Sequence, residues 1–244
     1  IVFPMNYIPK NIDAVLFDVD ETLFDRRRAQ QIVLTRMRQR LPDLLGHASA
    51  DKIAEAWAAS DRATEDHVFN DGDIRGARDT RSKIFLQELG QTPQEETTAQ
   101  VTDAYLELYA VVDAPIDGAH RAVEACMQAF RIGVVSNAYP DVQYRKLETL
   151  GLRQAFACVV LSEEFGKRKP DPAIFIEGCR LLQVEPSRCL YVGDSYANDV
   201  VGAAAAGLPC CWLNAHGTTP QGTATPTLEV KHLDELLAWL GLTP

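Results

Sequence analysis

A chain of 244 residues with 46% hydrophobic side chains can bury one large or two modest cores, which excludes a disordered or fibrous polypeptide. Its 34 acidic against 24 basic residues leave a formal charge of -10, a field that repels nucleic-acid polymers and anionic membrane surfaces. Six cysteines without a CxxC pair, mostly inside apolar runs, read as buried, reduced thiols and point to a cytoplasmic protein.

The opening IVFPMNYIPK lacks the basic start and long apolar core of a signal peptide, so Met5 is read as the natural start after appended residues. No stretch approaches the roughly 20 apolar residues of a membrane span. AVLFDV (14–19) predicts the first strand, buried on both faces. Residues 26–111 contain no convincing strand. They hold helical patterns such as RRAQQIVLTRMRQRL, ADKIAEAWAASDRATEDHVF, TRSKIFLQELG and EETTAQVTDAYLELYAVV. Strands return at RIGVVS (131–136), ACVVL (157–161), RCLYVG (188–193) and PCCWL (209–213), separated by helical stretches. The turn-rich NAHGTTPQGTATPT then predicts a surface loop before a last short strand and the helix LDELLAWL. Alternation of apolar strands with helices predicts an α/β fold: a Rossmann-like parallel sheet with helices on both faces, residues 1–25 and 112–244, interrupted by an all-α domain, residues 26–111.

Polar residues gather at the strand ends. Asp18 and Asp20 share one face of an extended segment, roughly 6–7 Å apart, where open α/β sheets bind ligands. Ser136 and Asn137 end the second strand, before a helix whose free N–H groups can hold an anion. Lys169 precedes Pro170 in GKRKPDPAIF, and YVGDSYANDV supplies Asp194 and Asp199. Taken singly, each has a plainer reading: Asp20 and Ser136 as helix caps, Lys169 as a surface charge, Asp199 as part of a solvated turn. Together, the carboxylates are the hard oxygen ligands magnesium prefers.

The ordered set DxDxT, strand-end Ser, Lys and acidic GDxxxxD loop resembles the haloacid dehalogenase superfamily over the whole chain, with Glu21 where many members have glycine. The resemblance implies a magnesium-dependent phosphatase. Mg2+ would be held by Asp18, Asp194 and the backbone carbonyl of Asp20. Asp18 would be the nucleophile that forms an aspartyl-phosphate, Asp20 the acid and base, and Lys169 the charge that lets Asp18 approach phosphorus. Ser136 and backbone N–H groups after Asn137 would hold phosphoryl oxygens, Thr22 would fix the loop through its hydroxyl, and Asp199 would support the metal shell. Members that release halide need no leaving-group proton and lack DxD, so Asp20 disfavours dehalogenation; a phosphoglucomutase-like transferase also fits DxD. A receiver-like phospho-accepting module shares the residue types, but places its acceptor on the third strand of a shorter chain.

CWLNAH and HLDELL resemble bacterial pyrimidine 5′-nucleotidases, which implies a nucleoside 5′-monophosphate substrate, with phosphoglycolate or a sugar phosphate as the alternative. The partner is thus a small phosphorylated metabolite, with the chain a monomer or homodimer. In the helical domain, which would set specificity as a cap, Arg26–Arg28, Arg75, Arg78, Arg81 and Lys83 read as a solvated face, and Trp57, Phe69 and Phe85 as core.

Overall fold

The structure, a computed structural model, describes residues 11–64 and 73–242. Met5 and Phe69 therefore lie outside the described residues. Among those described, no helix is long and apolar enough to cross a membrane. The chain divides into two compact units, one made of residues up to Arg26 with those from Ala114 onward, the other of Arg27–Asp113.

The elements run in chain order as β1 (Ala14–Phe17), then α1 (Arg26–Arg40), α2 (Pro42–Leu45), α3 (Ala50–Thr64), α4 (Ile74–Glu88) and α5 (Glu95–Tyr109). There follow α6 (Ala119–Ala129), β2 (Arg131–Ser136), α7 (Pro140–Thr149), β3 (Cys158–Leu161), α8 (Ser162–Phe165) and α9 (Pro172–Leu182). The chain closes with β4 (Cys189–Gly193), α10 (Val201–Ala205), β5 (Cys210–Leu213), β6 (Leu228–Val230) and α11 (Leu233–Leu240).

The six strands form one sheet in the order β3-β2-β1-β4-β5-β6, every pair parallel. Parallel neighbours need crossover helices, and those helices cover both faces, so the strands are buried throughout and carry apolar runs. Along β1 the alternation is plain: Ala14 and Leu16 join a core cluster with Phe175, Tyr191 and Trp212, while Val15 and Phe17 point to the opposite, equally buried face. The order reverses at β1. Phe17 lies level with Val134 of β2 and Val192 of β4, so the segments after β1 and β4 emerge side by side at the switch point where such sheets bind ligands.

Close approach of α9 and α10 depends on small residues. A Cβ on Gly202 would sit 2.5 Å from the buried ring of Phe175 and 3.0 Å from the Pro170 backbone. Gly202→Ala is therefore expected to destabilise the protein by about 1–3 kcal/mol through overpacking, read as a lower urea midpoint at unchanged slope. An unchanged midpoint would show that this contact yields freely. All six cysteines are free thiols, five of them buried and Cys158 half-buried. Burial alone pushes the Cys126 thiol up to about 12, as expected for thiols that serve as packing.

The second unit is wholly helical in its described residues. Its interior is an aromatic stack: Trp57 lies 4.2 Å from Tyr105 and 5.2 Å from Phe85, and Tyr105 lies 5.0 Å from Tyr109. Trp57 and Phe85 are thus core residues. Arg81 departs from the solvated face expected of it. Its guanidinium lies 4.6 Å from the centroids of both Trp57 and Tyr105 and pairs with Asp61 at 3.3 Å. Flat and weakly hydrated, a guanidinium can be stacked on aromatic rings at a cost an ammonium would not tolerate. Arg75 fits the surface reading, bridging Asp79 and Asp103 while half exposed.

Candidate active site

The site is built where β1, β2 and β4 end. Asp18 extends the sheet by one more bond, its N–H donating to the carbonyl of Val192 at 2.8 Å. The chain then turns: the N–H groups of Thr22, Leu23 and Phe24 all converge on the carbonyl of Val19. To make this turn Glu21 takes φ 58°, the left-handed region that favours glycine, so the residue departing from the family pattern occupies the position where the pattern has a backbone reason. Thr22 is buried, but its hydroxyl has no hydrogen-bond partner among the described residues, so backbone bonds fix the loop, not the side-chain bond expected of it.

At the centre is Lys169, 3% exposed. Its Nζ lies 2.8 Å from Asp18 Oδ1, 2.7 Å from Asp199 Oδ1 and 2.9 Å from the hydroxyl of Tyr191. Tyr191 and Asp199 accept hydrogen bonds from this ammonium, and Asp18 faces it as an ion pair. Burial opposes its charge, but Asp18 and Asp199 outweigh that and hold its pKa above the ordinary lysine range. Lys169 thus serves as an electrostatic anchor for the carboxylates. The Tyr191 hydroxyl, in turn, donates to the carbonyl of Val135 at 2.9 Å or to Asp199 at 3.2 Å.

Asp199 is fully buried, its second oxygen accepting the Ser195 N–H at 2.8 Å. It lies in a wide helical turn over Tyr196–Val200 ahead of α10, not in a solvated turn. Such widened turns re-aim one side chain, here inward to Lys169. With its oxygens so committed, Asp199 orients the cluster. Asp194, less enclosed, is steadied from behind by Trp212, whose indole N–H donates to the Asp194 carbonyl at 2.7 Å.

Asp18, Asp194 and Asp199 each offer a carboxylate oxygen within 4.8 Å of the others. Burial and the neighbouring carboxylates push Asp194 up to about 8. Burial also raises Asp18, with Lys169 pulling it back so that it settles at about 6. The Asp20 side chain, of which no metal bond was expected, does not join this cluster. Asp20 Oδ1 instead accepts a 2.6 Å bond from Lys146 Nζ. Burial works against the Asp20 charge, but Lys146 and then Arg26 hold its carboxyl below the usual range.

On the β2 side, Ser136 is buried and accepts from Gln143 Nε2 at 3.0 Å, which leaves its own O–H to donate. The Asn137 side chain is engaged within the protein. Its amide donates to the Lys169 carbonyl at 3.0 Å and accepts the Lys169 N–H at 2.8 Å, clamping the lysine's backbone. The next N–H, of Ala138, is donated to Ser162 Oγ at 3.1 Å.

Reading motifs missed Lys146, Gln143, Tyr191 and Trp212. A signal existed for two of them. Positions 143, 146, 147 and 150 form the i, i+3, i+4, i+7 stripe of α7 and its C-cap, and Gln143 and Lys146 occupy core positions there beside Leu147 and Leu150. Polar residues on a buried stripe need partners.

A Rossmann-like sheet with a carboxylate cluster around a lysine at its switch point, interrupted after β1 by a helical insertion, defines a hydrolase of the haloacid dehalogenase type. A sequence profile of the haloacid dehalogenase-like hydrolases matches residues 12–207, and the chain belongs to that family. It is 30% identical to pyrimidine 5′-nucleotidase YjjG of Escherichia coli over 92% of this chain and 96% of that one. It is also 30% identical to glyceraldehyde 3-phosphate phosphatase of Methanopyrus kandleri, over 81% and 82%. Among solved structures, the HAD-hydrolase YfnB of Bacillus subtilis bound to magnesium superposes with a TM-score of 0.80 at 26% identity, covering 95% of this chain and 99% of that one.

Proposed function

We propose that this hydrolase is a magnesium-dependent phosphatase that cleaves small phosphate monoesters, nucleoside 5′-monophosphates in particular, through an aspartyl-phosphate. The observation that carries the reading is Asp18: a carboxylate at the sheet's switch point, held by a buried lysine, with a second carboxylate two residues on that is anchored separately. The nucleotidase name of a relative aligned over nearly its whole length supports the substrate class.

The donor set fits a hard divalent cation. Fully ionised, the four carboxylates (Asp18, Asp20, Asp194 and Asp199) would exceed the two ammoniums (Lys146 and Lys169) by two negative charges in a largely buried site. Asp18 and Asp194 would hold Mg2+, which would screen the charge of the phosphate dianion from the attacking carboxylate. An oxygen of Asp18 then attacks phosphorus, and the bond from phosphorus to the ester oxygen breaks. Asp20, entering this step protonated on the oxygen that Lys146 does not hold, gives the leaving oxygen that proton, and the alcohol leaves. In the second half, Asp20 takes a proton from water as the water oxygen attacks phosphorus, which releases inorganic phosphate and restores Asp18. Ser136 donates to a phosphoryl oxygen throughout.

Phosphate release measured across nucleoside monophosphates, sugar phosphates and glyceraldehyde 3-phosphate tests the substrate class. Highest kcat/KM on the nucleotides is expected, and no nucleotide turnover would overturn that assignment. Thermal melts test the cation separately from activity. Because folding raises Asp18 to about 6 and Asp194 to about 8, the stability they lend is full below about pH 4 and lost as pH rises through both values. At pH 8 Asp18 is ionised and Asp194 about half so, which leaves the metal-free cluster open to a cation. Mg2+ at a hundred times its Kd is expected to raise Tm by about 5–10 °C at pH 8 and by much less at pH 5. An equal shift at both pH values would rule this cluster out as the binding site.

A further inference from the structure

The geometry points to Lys146 as a positioning residue for the acid–base carboxylate: its Nζ, 2.6 Å from Asp20 Oδ1, holds the Asp20 side chain in the orientation that proton delivery to the leaving oxygen requires. The inference rests on the reading of Asp20 as acid and base, and deepens it.

Three observations carry it. The pair is asymmetric: Lys146 is 3% exposed, whereas the Asp20 side chain retains 26%, so one carboxylate oxygen is gripped from within while the group still meets solvent. The ammonium is itself pinned, lying 4.7 Å from the ring centroid of Phe24, which is fully buried four residues beyond Asp20 in the same turn. A long, flexible side chain thereby becomes a fixed donor. Lastly, Lys146 stands on the buried stripe of α7 between Gln143 and Leu147. An ammonium there pays desolvation that a leucine or methionine would avoid, and replacing a buried ion pair with apolar residues commonly leaves a fold as stable or more so. Stability is thus a poor account of this lysine. Orientation of Asp20 is a better one, since the carboxylate sits on a turn with no hydrogen bond from its neighbours' side chains to set its rotamer among the described contacts. The same helix sends Gln143 to Ser136, so one face of α7 reaches two groups of the site.

The test exploits leaving-group chemistry. A ribose 5′-oxygen leaves as an alkoxide unless it is protonated, whereas p-nitrophenolate leaves readily without a proton. Lys146→Met, and Lys146→Gln as a second variant should Met fail to fold, are compared with wild type and Asp20→Asn on a nucleoside 5′-monophosphate and on p-nitrophenyl phosphate. With a misaligned acid, the Lys146 variants are expected to lose about 10–100-fold in kcat/KM on the nucleotide and under about threefold on the aryl ester, kcat/KM being the readout because it covers only the steps up to release of the leaving group, whereas the second half-reaction is common to both esters. Asp20→Asn should show the same selectivity, more strongly. Equal losses on both esters for the Lys146 variants, with selectivity kept in Asp20→Asn, would overturn the inference alone and make Lys146 a structural residue. Equal losses in Asp20→Asn as well would overturn the acid–base reading and the inference with it.

Discussion

Asp18→Asn is expected to lower kcat for phosphate-ester hydrolysis by at least about 10⁴-fold while leaving the protein folded and no less stable. The expected size follows from the role: removal of a nucleophile abolishes the covalent route, and what remains comes from binding and electrostatics alone. The stability half follows from the geometry. Asparagine has the same shape, and the loss of one negative charge relieves repulsion in a buried cluster where burial and Asp199 already push Asp18 to about 6. Lys169 would still be held by Asp199 and Tyr191. Single-turnover assays with radiolabelled phosphate, alongside urea melts at pH 8, check both halves. Undiminished turnover would remove Asp18 from the chemistry. Lost activity with lost folding would mean that the carboxylate serves the structure instead.

The fold was legible because a parallel sheet buries both faces of every strand. Each strand therefore prints an unbroken apolar run, as AVLF, CLYVG and CCWL do, and each run ends where a polar residue emerges at the ligand-binding edge. Asp18, Ser136 and Asp194 could be read from that pattern. Their partners could not, because a partner depends on which face of a helix turns toward which strand end. Lys146 meets Asp20 across 126 positions, and Trp212 meets Asp194 from a neighbouring strand; neither pairing leaves a local trace. Asn137 and Thr22 show the opposite limit. Their residue types suit a phosphate or a loop bond, but the amide is spent on the Lys169 backbone and the hydroxyl has no partner among the described residues. Arg81 misleads for a related reason: on a helical wheel it looks like one charge among several, and only the approach of α3 and α5 supplies the rings it stacks on.

Lys169→Met should have the largest effect on stability, and that effect should depend on pH in a direction the site fixes. Removing the ammonium leaves Asp18 and Asp199 buried without their shared cation, a change that costs about 3–5 kcal/mol when one partner of a buried pair is deleted. The lysine itself does not titrate between pH 5 and 8. Its folded pKa lies above the ordinary value, so its contribution persists through this range and fades only far above it. The pH dependence must come from the acids. At pH 5 Asp18, raised to about 6, is already mostly protonated, and so is Asp194, raised to about 8, so the share of the lysine's pairing that Asp18 supplies is largely gone. At pH 8 Asp18 is ionised and the loss is felt in full, limited only by the protons the orphaned acids can recruit. Urea unfolding in the presence of a chelator should therefore show a larger deficit at pH 8 than at pH 5, with added Mg2+ recovering part of it at the higher pH only. Catalysis should not recover with it, because a methionine cannot hold Asp18 in place for attack, and kcat should stay at least about 10²-fold down. A deficit of equal size at both pH values would mean that pairing with Asp18 contributes little to holding Lys169, and the charge balance assigned to the site would fail.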